Sequence, residues 1–291
     1  MSTGTASAGQ ISGTRAMLRR FRHHRLALAG TVVLVLLVVA CFGATWIAPA
    51  KQGVQDLALG PTAPSWAHLL GTDELGRDYL SELLYAGRMS LAIGFFVAVV
   101  ATVVGTAVGA VAGYVGGVVG EVIMRLTDLF LIVPAIAILA LALNGLGSSP
   151  VTIVLVLSGI SWTYIARVVR SQVLSLREKE FIDAAKVTGT STARILVRHM
   201  LPNLAGIITV NISLAAASAI IVESTLSFLG FGVQPPRTSW GNMLSQASGL
   251  VGTPQVYLLY FPGLFILVTV LCVNFIGDGL RDALDPQGRQ L

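Results

Sequence analysis

The sequence is short of charge, of aromatic residues and of cysteine. Of its 291 residues only 19 are Lys or Arg and 14 are Asp or Glu, so 11% are charged where a soluble domain carries about 25%. Aromatic residues make up 7%, and the chain has 2 cysteines and 4 histidines. Lysine occurs only at Lys51, Lys179 and Lys186. Each shortage removes a class of protein. A soluble globule needs more polar surface, a disordered chain more polarity, and a disulfide scaffold more cysteine. None of the lysines follows a glycine, so a phosphate-binding G-K-[ST] loop is absent. The histidines and cysteines show neither H-E-x-x-H nor C-x-x-C spacing, so no metal site is expected. An intramembrane serine hydrolase is set aside as well: no G-x-S-x-G occurs and no apolar span holds a histidine to act as base, so no catalytic residue is assigned.

What is abundant is aliphatic. Hydrophobic residues reach 54% and the mean hydropathy is +0.79, which leaves an all-α integral membrane protein. The net charge of +5 does not point to nucleic acid, because the basic residues flank apolar runs instead of clustering with aromatics.

Six spans are expected. Residues 1–25 form a cytoplasmic tail ending in Arg15, Arg19, Arg20, Arg22 and Arg25, and residues 26–48 the first span. That run is longer than a signal-peptide core, so it is retained. Residues 49–89 lie outside, with an interfacial helix that starts at Thr72 or Asp73, aligns Leu75, Tyr79 and Leu83, and pairs Asp73 with Arg77. A five-helix core covers 90–280, with a polar cytoplasmic loop at 171–203, and 281–291 returns to the cytoplasm. Within the core, span 2 ends near Tyr114 to Gly117, span 3 is Glu121 to Leu143, span 4 begins at Val151, span 5 is Leu204 to Leu229 and span 6 is Tyr257 to Phe275. With both termini inside, only Lys51, Arg77, Arg88 and Arg237 fall outside, and every other basic residue falls inside. Cys41 and Cys272 then lie at different depths and do not bridge.

Gly105, Gly109 and Gly113 recur every fourth residue in span 2, a face that another helix can approach closely, either within the chain or from another subunit. Pro134 and Pro262 should kink spans 3 and 6 or shift their local hydrogen bonding. Asp128 and Glu223 are intramembrane acids. Glu121, Arg125 and Asp128 share a helix face, so a local ion-pair ladder accounts for Asp128. Glu223 has two open readings: it lines a water-filled translocation path, or it forms a buried hydrogen bond to another span.

The polar loop is the informative stretch. Glu178 to Gly189 has helix formers, acids in its first turn, Lys186 near its end and Gly189 at the stop, which describes a short capped helix. Ser191 can cap a second helix, and Pro202 should force a break before span 5. Ala184 and Ala185 at the tip let a partner's groove close around the helix, with Phe181 and Ile182 as its apolar anchor. The alternative is an amphipathic helix lying on the inner leaflet.

Asp183-Ala184-Ala185, three residues, Gly189, nine residues, then His199-Met200-Leu201-Pro202 resembles the E-A-A-x3-G-x9-I-x-L-P loop of ATP-binding cassette (ABC) importer permeases, with Asp183 for Glu and His199 for Ile. Gly71-Thr72-Asp73 with Gly76-Arg77-Asp78, Gly232 to Pro236 with Ser239 to Met243, and Gly277 to Pro286 resemble elements of the C-type permease subunit of oligopeptide and dipeptide importers. Glu82 and Ala86-Gly87 depart from that pattern. The resemblance implies the type I ABC importer permease fold of six transmembrane helices in a bacterial plasma membrane. It implies a second homologous permease subunit, two ATP-binding subunits that carry the ATP and Mg, and an extracytoplasmic peptide-binding protein. This chain itself would need no cofactor. Glu180, Phe181, Asp183, Ala184, Ala185, Lys186, Gly189, Leu201 and Pro202 would couple it to the ATPases. A nickel or other small-solute carrier on the same scaffold stays open beside the peptide reading.

Overall fold

A computed structural model of the chain describes residue 17 and residues 19–284. The rest of the N-terminal tail, with Arg15, and of the C-terminal tail, with Asp285, Pro286 and Arg289, lies outside the described residues. The helices are α1 (Arg25–Phe42), α2 (Tyr79–Val115), α3 (Gly117–Ile132), α4 (Ala135–Leu146), α5 (Pro150–Arg177), α6 (Glu180–Val187), α7 (Leu201–Phe228), α8 (Trp240–Ala247) and α9 (Tyr257–Leu284), with a short helix at Ala44–Ile47 and an irregular segment over residues 48–78 between α1 and α2, and shorter connections elsewhere. Among the described residues no strand is present, only an isolated bridge between Thr72 and Asp78.

Helices α1, α2, α5, α7 and α9 are each long and apolar enough to cross a membrane. The sixth crossing, expected over Glu121 to Leu143, is not one helix. α3 and α4 together pass the same test but meet at 86°, with Val133 and Pro134 extended between them. Proline cannot donate to the carbonyl four residues earlier and its ring clashes there, so the expected kink is a break. Pro262, in contrast, sits inside a continuous α9.

Helix α2 is the hub. Its 37 residues make it ~56 Å long, well beyond the ~30 Å hydrocarbon core, so part of it stands outside the bilayer. It packs most extensively on α5, then on α7, and also on α1. The α5 contact follows from the glycine row. A Cβ on Gly105 would lie 2.7 Å from the Trp162 carbonyl oxygen, one on Gly109 2.4 Å from that of Ala166, and one on Gly113 2.9 Å from that of Arg170. The small-residue face is therefore filled within the chain.

Helix ends are tied to neighbouring helices by arginines. Arg88 of α2 donates through Nε to Cys41 O at 2.8 Å and through Nη2 to Phe42 O at 2.9 Å, placing positive charge at the carbonyl end of α1. Arg177, the last residue of α5, donates to Tyr114 O near the end of α2 at 3.0 Å. Gly116 follows with φ of 65° and stops α2 inside the expected window. Asp128 is paired chiefly across helices, to Arg167 of α5, while its contact with Arg125 is 3.9 Å. Among the described residues no ion pair to Glu121 forms, so the local ladder gives way to a bridge from α3 to α5. Cys41 and Cys272 are free and buried.

The interfacial helix expected from Thr72 does not form. Asp73 Oδ1 accepts from Leu75 N at 2.9 Å and from Arg77 N at 3.0 Å, and Gly71 and Gly76 have φ of 77° and 67°. A side chain that captures its own downstream amides holds a turn against the helix. The Asp73–Arg77 pair exists, at 2.6 Å, but on that turn. Asp78 is the N-cap instead, accepting from Ser81 N at 2.8 Å, so Tyr79 and Leu83 belong to α2 and are buried.

Candidate docking site

The polar loop folds as its residues imply. Glu180 and Asp183 lie in the first turn of α6 and Lys186 in the last, each complementing the helix dipole. Gly189 has φ of 75°; its amide donates to Lys186 O at 2.9 Å and that of Thr190 to Ala185 O at 3.0 Å. These two bonds form a Schellman cap, which needs the left-handed conformation glycine adopts without strain.

One face of α6 is turned inward. Ile182 and Ala185 are buried in a cluster with Ile165, Val169 and Val173 of α5, Ile195 and Met200, and Leu204 of α7. Two expected roles are thereby corrected: Ala185 does not face a partner and Ile182 is not an external anchor. With apolar residues at 181, 182, 184, 185 and 187, the helix carries two apolar stripes, and the chain's own core takes the one at Ile182 and Ala185. The outward stripe is Phe181, Ala184 and Val187, and Val187 is 88% exposed. Val187 was missed by sequence reasoning, though its place three residues after Ala184 was the available signal.

Asp183 Oδ1 accepts from Lys186 Nζ at 2.8 Å. Both side chains are largely exposed, so this i,i+3 pair contributes at most a few tenths of a kcal/mol and yields readily to a partner's charge. Glu180 is exposed at the start of α6. Beyond the cap, Ser191 occupies the N-cap position of the turn Thr192–Arg194 without a side-chain bond. Pro202 does not break the chain. Residues Ile195–Met200 form a π-helical turn, with Leu201 N bonded to Leu196 O, and Pro202 then sits in the first turn of α7, where its missing N–H costs little. Leu201 is half-buried and Pro202 exposed.

Glu223 lies elsewhere, toward the C-terminal end of α7. It is fully buried, accepting from Ser227 Oγ at 2.7 Å and from Ser90 Oγ of α2 at 3.4 Å. Ser90 Oγ in turn accepts from Trp240 N at 3.1 Å, and Trp240 Nε1 donates to Leu83 O at 2.9 Å. The carboxylate thus anchors α8 to α2 and α7, the buried hydrogen bond that was the second of its two readings.

The family model described as "Binding-protein-dependent transport system inner membrane component" matches residues 105–290, and that described as "N-terminal TM domain of oligopeptide transport permease C" matches residues 12–64. The chain is 44% identical over 273 residues to the oligopeptide transport system permease protein OppC of Escherichia coli K12, covering 93% of this chain and 90% of that protein. It is 38% identical over 278 residues to OppC of Mycobacterium tuberculosis H37Rv, covering 94% and 95%. A putative peptide permease protein of Brucella suis is 38% identical over 269 residues, covering 92% and 89%. Among solved structures, an inward-facing MetNI methionine ABC transporter has a chain that superposes with a TM-score of 0.59 at 15% identity, over 70% of this chain and 97% of that one. This likeness shows the fold.

Proposed function

The chain belongs to the family of binding-protein-dependent transport system inner membrane components, as a permease subunit of an ABC importer, and from that premise we propose that its cargo is an oligopeptide or dipeptide. The observation that carries the peptide reading is the identity of 44% to a protein named as an oligopeptide permease across 93% of this chain. A permease of this kind works with ATPase and substrate-binding partners. The full assembly pairs this chain with a second homologous permease and two ATPases, which hold the ATP and Mg, and both termini of this chain face the cytoplasm. The relatives are named as transport proteins, in keeping with a non-catalytic subunit.

The coupling path runs through α6. A groove on an ATPase closes around Phe181, Ala184 and Val187, and Asp183 exchanges Lys186 for a basic group of the partner. When the ATPases close on ATP, the displacement of α6 passes through Ile182 and Ala185 into α5 and α7, because these side chains are packed in the cluster those helices share. Packed interiors respond to a push by rearranging as units, so α5 and α7 shift relative to the rest and expose the path to the outside. The test is uptake by the complete importer reconstituted into vesicles, offered a panel of peptides of graded length beside free amino acids and Ni2+. Uptake of peptides alone is expected; uptake of Ni2+ without peptides would contradict the reading.

A further inference from the structure

A cavity of about 290 Å³ opens between α5 and α7, lined by Ser161, Tyr164 and Ile165 from one helix and Asn211, Leu214 and Ser218 from the other. The two helices meet less closely with each other than either does with α2. Ser161 lies ~17 Å and Tyr164 ~21 Å from the outer start of α5, while Ser218 lies ~15 Å and Asn211 ~26 Å from the outer end of α7, so the lining spans the middle of the bilayer.

Lipid cannot cover this surface without loss. Asn211 Nδ2 donates to Ile207 O at 2.8 Å, which leaves its Oδ1 without a partner among the described residues. The Ser218 hydroxyl is exposed and unpaired there, and Tyr164 is 60% exposed at a depth far from the interfacial belts where tyrosine ordinarily sits. In hydrocarbon each unsatisfied polar group is costly, so polar lining at this depth faces water or another protein surface across it. Every lining side chain is neutral. Hydroxyl, phenol and amide groups both donate and accept, which matches the repeating N–H and C=O of a peptide main chain and makes no demand on its side chains. A nickel or zinc ion would need imidazole, thiolate or carboxylate ligands, and the lining supplies none of these.

We propose that this cavity is the chain's own wall of the translocation path, and that Tyr164, Asn211 and Ser218 hydrogen-bond the main chain of the passing peptide. The assignment rests on the peptide-importer reading and moves the path away from Glu223. Residue-level contacts of this sort bind weakly and uniformly, as a path must if cargo is to leave it.

The test uses the complete importer in liposomes with Ser218→Cys or Leu155→Cys in this chain. Leu155 is exposed on α5 away from the cavity, and the native cysteines are buried. A hydrophilic thiol reagent should modify Ser218→Cys and leave Leu155→Cys untouched, and a saturating tripeptide should slow the Ser218→Cys reaction at least fivefold. In parallel, Asn211→Leu should raise the KM for peptide uptake about tenfold while the variant still copurifies with its partners. Peptide uptake with an unreactive Ser218→Cys, a reaction indifferent to peptide, or an unchanged KM in Asn211→Leu would each overturn the wall assignment alone. Absence of peptide uptake by the wild-type importer would overturn the peptide reading beneath it.

Discussion

Gly109 of α2 stands against the main chain of Ala166 on α5 so closely that a Cβ at Gly109 would fall 2.4 Å from the Ala166 carbonyl oxygen. Neither side of that contact can retreat without parting the two helices, because both atoms at fault belong to rigid backbone. Gly109→Val is expected to destabilise the chain by at least the ~1–3 kcal/mol typical of overpacking. Gly159→Ala, at a helical glycine with nothing within 4 Å, should instead be neutral or slightly stabilising. Thermal unfolding of the purified chain in detergent, read for both variants, checks the contrast.

The two faces of α6 should respond differently to substitution. Ile182→Ala removes a buried side chain and should cost the chain ~2–5 kcal/mol of stability whether or not partners are present. Val187→Asp and Asp183→Arg leave that core intact and should weaken only the association with the ATPases. Comparing unfolding of the lone subunit with copurification of the ATPases separates these outcomes.

Gly189→Val should strain the cap of α6, since a β-branched residue at φ of 75° costs ~1–2 kcal/mol or more. The variant should reach the membrane in normal amount, yet peptide-stimulated ATP hydrolysis by the assembled importer should fall severalfold. Unchanged stimulation would detach the cap from coupling.

Topology and nucleotide chemistry give a further check on the lone chain. Labels at Ser148 and Gly249 should be reached from the outer side and one at Thr190 only from the cytoplasm, following the distribution of basic residues. The purified subunit should bind no ATP at micromolar concentration, as expected of a chain whose lysines never follow glycine.

Features written into local spacing were legible in the sequence. The glycines at 105, 109 and 113, the stop at Gly189 and the end of α2 near Gly116 each depend on residues within one or two turns, and the structure places them as expected. What escaped depends on competition or on distance. At Asp73 the same short acidic side chain that starts helices captured two downstream amides and held a turn. In α6 two apolar stripes were equally visible, and only the packing of α5 and α7 decides that Ile182 and Ala185 turn inward. Asp128 chose Arg167 over its sequence neighbours because α5 brings that guanidinium closer. The cavity between Tyr164 and Asn211 joins residues from two separate helices, and no periodicity within either one announces it.

Uptake of a labelled tripeptide by the complete importer in vesicles, measured with wild-type chain and with Ala184→Trp, tests the coupling account most directly. Ala184 is exposed on the outward stripe of α6, so the indole should overfill the partner's groove without disturbing the chain's own core. The wild type should accumulate peptide in an ATP-dependent manner and the variant should lose at least nine-tenths of that uptake while inserting normally. Full uptake and full ATPase association in Ala184→Trp would contradict α6 as the coupling element.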